Sequence, residues 1–488
     1  MIKYHITTIK NFICTLRKPD IYDGIVGISI IIYAAFFSYL SLFRFNAFQL
    51  EFDLVIFHQA FLNTITHGEL FTNSLENASH FGVHFSPILF TLLPGYAISP
   101  GPHVLLIAQS VLLGFGAIPI YLCGREILGK KAGILIALTY LLYPSLHGVN
   151  IYDFHEVAFL PLLLGLTLWS FVTGRKDAML LFGLLSLFVK EDVAVIIGMI
   201  GIVGLYRTRG GEWSDRWQYI ALSALAVVIL ATFLFIIRPA FAPDGNLISG
   251  QITQYLNPAG NLATYNENRI IYLLMTFIPL LFIPLLAPEI MAISIPSFLE
   301  ILLSQSPYYY SVFYQYSALV IPVLFIATIR GLDRIKIREE KSGKKIMMPL
   351  LSMILISTLI CSFIYSPAAT TIRINSDIDE TAMNEHREFL IQVLSIIPED
   401  ASVSTQYNLL PYVTTHSRIW ADYQEQADII LIDGTFPNRA ADFNDDAIKI
   451  EEHFLPVITG DNVYLFVNKK SSKIQSELAE RIQITTAG

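Results

Sequence analysis

Of 488 residues, 54% are hydrophobic and only 15% are charged, and the mean hydropathy is +0.55. That balance excludes an ordinary soluble enzyme and describes a chain that crosses a membrane many times. A net charge of -8 argues against nucleic acid as a partner, and three cysteines, Cys14, Cys123 and Cys361, provide no disulfide framework.

Lys3, Lys10, Arg17 and Lys18 precede an apolar stretch from about Ile21 to Phe43. The stretch is too long for a signal-peptide core and has no small-residue cleavage site, so it predicts a retained first span with a cytoplasmic N-terminus. Residues 44–102 then form a long outer segment in which Arg44 is the only Lys or Arg. Within it, Leu54 to Ile65 and Ile88 to Ile98 are apolar but short, as expected of helices lying in the interface.

Further spans are expected over His103 to Cys123, Ala132 to Val149, Val157 to Thr173, Met179 to Val189, Val193 to Leu205, Tyr219 to Ile237, Ile270 to Leu286, Ile290 to Leu303, Ala318 to Ile329 and Met347 to Ile364. With about 20 apolar residues needed per crossing, the total is about eleven. Pro239 to Asn268, which contains Asp244, and the tyrosine-rich SQSPYYYSVFYQYS are outer loops in this reading. The basic runs Arg125 to Lys131, Arg175-Lys176, Arg207 to Arg216 and Arg330 to Lys345 mark the cytoplasmic ends. From about Ser366 the apolar runs shorten to strand length, in SVSTQ, ADIILID and NVYLFVN, alternating with helical patterns. The expected fold is therefore a mostly α, polytopic membrane domain over 1–365 and a small extracytoplasmic α/β domain over 366–488.

The acidic and histidine residues of the membrane part gather on the outer side, away from the basic runs. Asp53 follows the first span, where a carboxylate can meet a head group whose lipid tail stays in the bilayer; the plain alternative is a solvated or helix-capping aspartate. Asp153 and His155, in YDFHE, have the ligand types and spacing for a divalent ion such as Mn, Mg or Zn, with Asp53 as third ligand. The alternative is that Asp153 caps the following span. Lys190, Glu191 and Asp192 interrupt a long apolar run, and ionisable groups there mark function by default. Lys190 can hold a phosphate as a point charge, or simply neutralise Asp192 at a helix turn. Glu51, Glu156 and His84 complete the candidate substrate-binding set; His84 also reads as a plain interfacial histidine.

FDLVIFHQ, VHFSPILFTLLP, YPSLHGVNIYDFHEVAF, LFVKEDVA and YYYSVFYQYSALVIPVLF together resemble the prokaryotic polytopic membrane proteins of domain-of-unknown-function family 2079, over most of residues 45–435. That family in turn resembles the GT-C superfamily of integral-membrane glycosyltransferases. The resemblance implies an inverting transfer of sugar from a polyprenyl-phosphate donor, among membrane lipids, to an extracytoplasmic acceptor. It assigns Asp53 the place of the essential acid of the first outer loop, and Asp153-x-His155 that of a later acidic motif that helps hold a metal. The chain departs from the pattern in having Glu51-x-Asp53 rather than two aspartates, and no WWD-type acceptor motif. The alternative is a transporter or flippase; it predicts internal repeats and charges near the bilayer midplane, whereas here no repeat is evident and the charges sit near span ends.

Overall fold

The computed structural model describes residues 20–242, 255, 258–376, 380–416, 418–435, 443 and 446–487. The N-terminal basic residues, Cys14 and Asp244 lie outside them. The first helix, Ile21–Asn46, begins at a reciprocal cap: the Asp20 carboxylate accepts from the Tyr22 and Asp23 amides, and Asp23 accepts from the Asp20 amide. Asp20 also pairs with Lys130, and Asp23 with Arg125 at 2.8 Å. These contacts join the start of the first helix to the basic turn before the helix Lys130–Leu141.

Among the described residues, four helices are long and apolar enough to cross a membrane: Ile21–Asn46, Pro102–Ile127, Trp213–Phe241 and Met347–Ser376. A fifth crossing is available if Lys130–Leu141 and Pro144–Ile151, bent by 46°, count as one. Glu156–Val172 and Val193–Arg207 are shorter apolar helices packed among them. Unlike the single spans expected over Ile270 to Leu286 and Ile290 to Leu303, this region is a series of short pieces, Asn266–Phe277, Ile278–Leu280, Ile283–Leu286, Pro288–Met291 and Ile295–Leu303. Pro279, Pro284, Pro288 and Pro296 remove amide donors, and Leu281 and Phe282 turn left-handed between the pieces, so one continuous ladder cannot form. The helix Val320–Ser342 keeps almost every residue from Val320 to Leu332 out of solvent, which makes it the centre of the bundle.

Beyond the last long helix lies a five-stranded sheet. Its strands are β3 (Ser402–Thr405), β4 (Arg418–Trp420), β5 (Ile429–Asp433), β6 (Phe454–Gly460) and β7 (Val463–Asn468), β1 and β2 being the short hairpin Thr72–Asn73 and Ala78–Ser79. The order is β4-β3-β5-β7-β6, parallel across β4, β3 and β5 and antiparallel at β7 and β6. Phe48 and Val55 of the outer segment share a core with Val403, Leu410 and Val413. Phe45 stacks on Tyr412 at 4.8 Å, and Phe52 meets Tyr407 edge-on at 5.6 Å. This packing seats the α/β segment beside the start of the helix Asp53–His67.

One buried imidazole of that segment sits between two acids. His386 lies between Asp433 at 3.2 Å and Asp461 at 2.8 Å. The Asp433 hydrogen bond, outweighing burial, raises the imidazole to about 9. A group raised on folding contributes fully below its unfolded value, about 6.5, and loses that contribution as pH rises through its folded value. The α/β segment of the full-length chain should therefore resist urea-dependent proteolysis less as pH rises from about 6.5 past 9. His386→Gln should flatten that decline, and an equally steep one in the variant would remove His386 as its cause.

Candidate functional site

The site is built where the helix Asp53–His67 starts beside the loop between Ile151 and Glu156. Phe52, at the cap position of the helix, makes no side-chain cap bond. Asp153 supplies it from a distance of a hundred residues: its buried carboxylate accepts from the Glu51 amide at 3.0 Å and the Leu54 amide at 3.1 Å. An anion at a helix N-terminus satisfies orphan amides and meets the positive end of the helix dipole. Burial raises the Asp153 carboxyl, and the two amides oppose that rise. The capping alternative thus holds in kind, but for a different helix.

Asp53, the first residue of that helix, meets His155 with Oδ2 to Nε2 at 2.9 Å. The other imidazole nitrogen, Nδ1, lies 2.8 Å from the Asp153 carbonyl, an acceptor, and so carries a proton. Nε2 faces a carboxylate, so a second proton is shared between Asp53 and His155. Burial pushes the Asp53 carboxyl up, but His155, with Tyr152 and Lys190, more than offsets it and holds Asp53 below the ordinary value. Burial lowers His155, and Asp53 raises it by more. Tyr152 stacks on the imidazole at 5.3 Å, and Phe57 closes its edge at 5.7 Å.

The loop is shaped by Gln109, a buried amide in the helix Pro102–Phe115 that the sequence reading missed. Its Nε2 lies 3.0–3.1 Å from the carbonyls of Val149, Asn150, Tyr152 and Asp153, and its Oε1 accepts from the His155 amide at 2.8 Å. A lone amide in an otherwise apolar span was the available signal. From the other side, Gly148 lets the tyrosine-rich turn close over the loop, because a Cβ there would stand 1.8 Å from the Val312 carbonyl oxygen. Tyr314 then packs against Tyr152 at 4.8 Å.

Lys190, Glu191 and Asp192 occupy the turn before the helix Val193–Arg207, and the three point to different partners. Lys190 Nζ faces Glu156 Oε1 at 3.6 Å, and Glu156 Oε2 is buried with no hydrogen-bond partner. Burial lowers Lys190, but Glu156 and the adjacent carboxylates outweigh it, so it is held as a cation. Glu191 takes His84 Nδ1 at 2.8 Å and the Phe85 amide at 2.9 Å. Together with the Ile88 amide on the Phe188 carbonyl at 2.9 Å, this fixes the segment after β2 to the turn. His80, paired with Glu76 at 3.0 Å, lies 5.5 Å from His84 ring to ring. Asp192 turns instead to a narrow cleft with Lys190, Ser297, Glu300, Tyr309, Gln315 and Tyr316. Glu300, Gln315 and the two tyrosines were not foreseen as site residues, the tyrosine-rich turn reading as an ordinary interfacial loop.

Asp53, Asp153 and His155, the expected metal set, are joined here by hydrogen bonds. Both nitrogens of His155 face acceptors, while each Asp153 carboxylate oxygen accepts one backbone amide and keeps a lone pair. Among the described residues, no three His, Cys, Asp or Glu side chains are grouped to hold a metal ion. Glu51 contributes its backbone amide to Asp153.

The family described as predicted membrane protein (DUF2079) matches residues 44–453. No curated protein matches the chain. Among solved structures, the crystal structure of ArnT from Cupriavidus metallidurans bound to undecaprenyl phosphate superposes with a TM-score of 0.59 at 12% identity, covering 91% of this chain and 98% of that one. The fold is therefore ArnT-like.

Proposed function

We propose that this chain, which belongs to the DUF2079 family of predicted membrane proteins, is a GT-C-like glycosyltransferase moving a sugar from a polyprenyl-phosphate donor to an extracytoplasmic acceptor. The observation that carries the reading is the Asp53–His155 pair at 2.9 Å, close to the Lys190–Glu156 pair, on a fold similar to one solved with a polyprenyl phosphate. A polar acid–imidazole pair and a buried cation at the outer ends of apolar helices suit a lipid phosphate whose tail stays in the bilayer.

In this mechanism the acceptor hydroxyl oxygen attacks the anomeric carbon as the bond from that carbon to the phosphate oxygen breaks. The configuration inverts and polyprenyl phosphate leaves with the bonding electrons. Asp53 takes the acceptor proton as general base, with the His155 imidazolium balancing the carboxylate beforehand. Lys190 stabilises the charge that grows on the departing phosphate. No step is routed through a metal.

Labelled sugar on polyprenyl phosphate should be transferred to endogenous membrane acceptors by the wild-type chain in proteoliposomes. If the labelled lipid instead crosses the bilayer without transfer, the protein is a flippase. The arrangement also requires an outer C-terminus. A C-terminal alkaline phosphatase fusion should be active and a cytoplasm-dependent fluorescent fusion dark; the reverse pair of results would put Asp53 and Lys190 on the wrong side.

A further inference from the structure

We infer that the polar cavity between the helix Asp53–His67, the β1–β2 hairpin and the loop before β4 is a binding site for a short, uncharged oligosaccharide. The assignment rests on this cavity alone, and it holds whether the chain transfers sugars or moves lipids across the bilayer.

The walls come from distant parts of the chain, and two polar bridges fix their separation. At the buried floor, Gln59 accepts from the Ser74 amide at 2.7 Å through Oε1, and its Nε2 reaches the Thr414 carbonyl at 3.5 Å. At the exposed rim, Asn77, left-handed at φ 54°, offers Oδ1 to the Arg418 guanidinium at 3.1 Å. The space between them measures about 510 Å³, well inside the roughly 300–1,000 Å³ range of ligand sites.

The lining selects the ligand. Among the described residues that form it, only Leu62 and Ala78 are apolar, so a hydrophobic group finds little to cover it. Its formal charges are the carboxylates of Glu69 and Glu399 and the Arg418 guanidinium, a balance that repels an anionic polymer. His416 is 8% exposed; its Nδ1 lies 3.0 Å from the Val413 carbonyl, and its Nε2 is buried without a hydrogen bond. A buried nitrogen left without a partner is costly, and a hydroxyl, donor and acceptor at once, satisfies it in either tautomer. Asn63, Ser74, Thr414 and Thr415 present further amides and hydroxyls, which pair with hydroxyls in the same two-way manner. A peptide gains most of its affinity from buried aromatic and apolar anchors, which this lining does not accommodate. A chain of sugar hydroxyls without charge meets every one of these conditions.

The full-length chain in nanodiscs, titrated calorimetrically, should bind at least one of maltotetraose, cellotetraose and chitotetraose. It should bind that sugar at least about tenfold more tightly than tetragalacturonate or a neutral serine-glycine tetrapeptide. His416→Phe keeps a ring of similar shape and removes its nitrogens, so it should weaken the binding about tenfold. Thr415→Trp, at an exposed position, should fill the cavity and abolish binding while the thermal unfolding midpoint in detergent stays that of the wild type. It decides the matter by itself should His416→Phe fail to fold. Binding of none of the three sugars overturns the assignment, as does binding of tetragalacturonate or the peptide that is as tight or tighter. Undiminished sugar binding by either folded variant overturns it too, because the sugar would then sit elsewhere.

Discussion

Replacing Asp53 with Asn should leave donor binding nearly unchanged and reduce sugar transfer on the order of 10²–10⁴-fold, the range expected when a general base is removed. Asn keeps the size of the side chain and a hydrogen bond to His155, so the helix start and its Asp153 cap survive. What disappears is the carboxylate that accepts the acceptor's proton. The loss should therefore fall on turnover rather than on binding, as it does when an interaction made only in the transition state is deleted. Transfer at the wild-type rate would take Asp53 out of the chemistry while leaving its contact with His155 as architecture. His155→Gln should lower transfer less than Asp53→Asn, because the imidazole acts through the carboxylate, and it should shift the pH profile of transfer.

Lys190→Ala should be damaging in two separable ways. It leaves Glu156, whose carboxylate is 1% exposed, without the cation 3.6 Å away. Breaking one side of a buried pair costs about 3–5 kcal/mol, so the variant should unfold at lower temperature in detergent. It should also bind polyprenyl phosphate more weakly, because the point charge is missing in both ground and transition states. Lys190→Met combined with Glu156→Gln removes both charges and should restore most of the thermal stability without restoring affinity for the lipid phosphate. Recovery of both properties in the double variant would show that Lys190 serves only to neutralise Glu156.

Hydropathy and charge sign are properties of each segment by itself, and they were legible without a fold. Composition marked a membrane protein, the spread of Lys and Arg predicted which ends of the helices face inward, and the interruption at Lys190 to Asp192 marked costly residues that need partners. Asp53, YDFHE and the KED turn were recognisable as one set for the same reason, since each lies at the end of an apolar run. Which atoms they meet was decided only by chain segments tens to about a hundred positions apart. A carboxylate acts as a base, a cap or a counter-ion according to the donors within about 3 Å of it, and spacing along the chain does not carry that information. Tertiary structure thus set Asp153 against the amides of Glu51 and Leu54, and joined His155 to Asp53. It gave Lys190 to Glu156 instead of to Asp192 alone. It also broke the expected spans between Ile270 and Leu303, whose prolines cap short pieces that local apolarity could not distinguish from a continuous helix. That break brings Glu300 to the cleft opposite Asp192, a pairing that depends on packing between helices and has no counterpart in either local sequence.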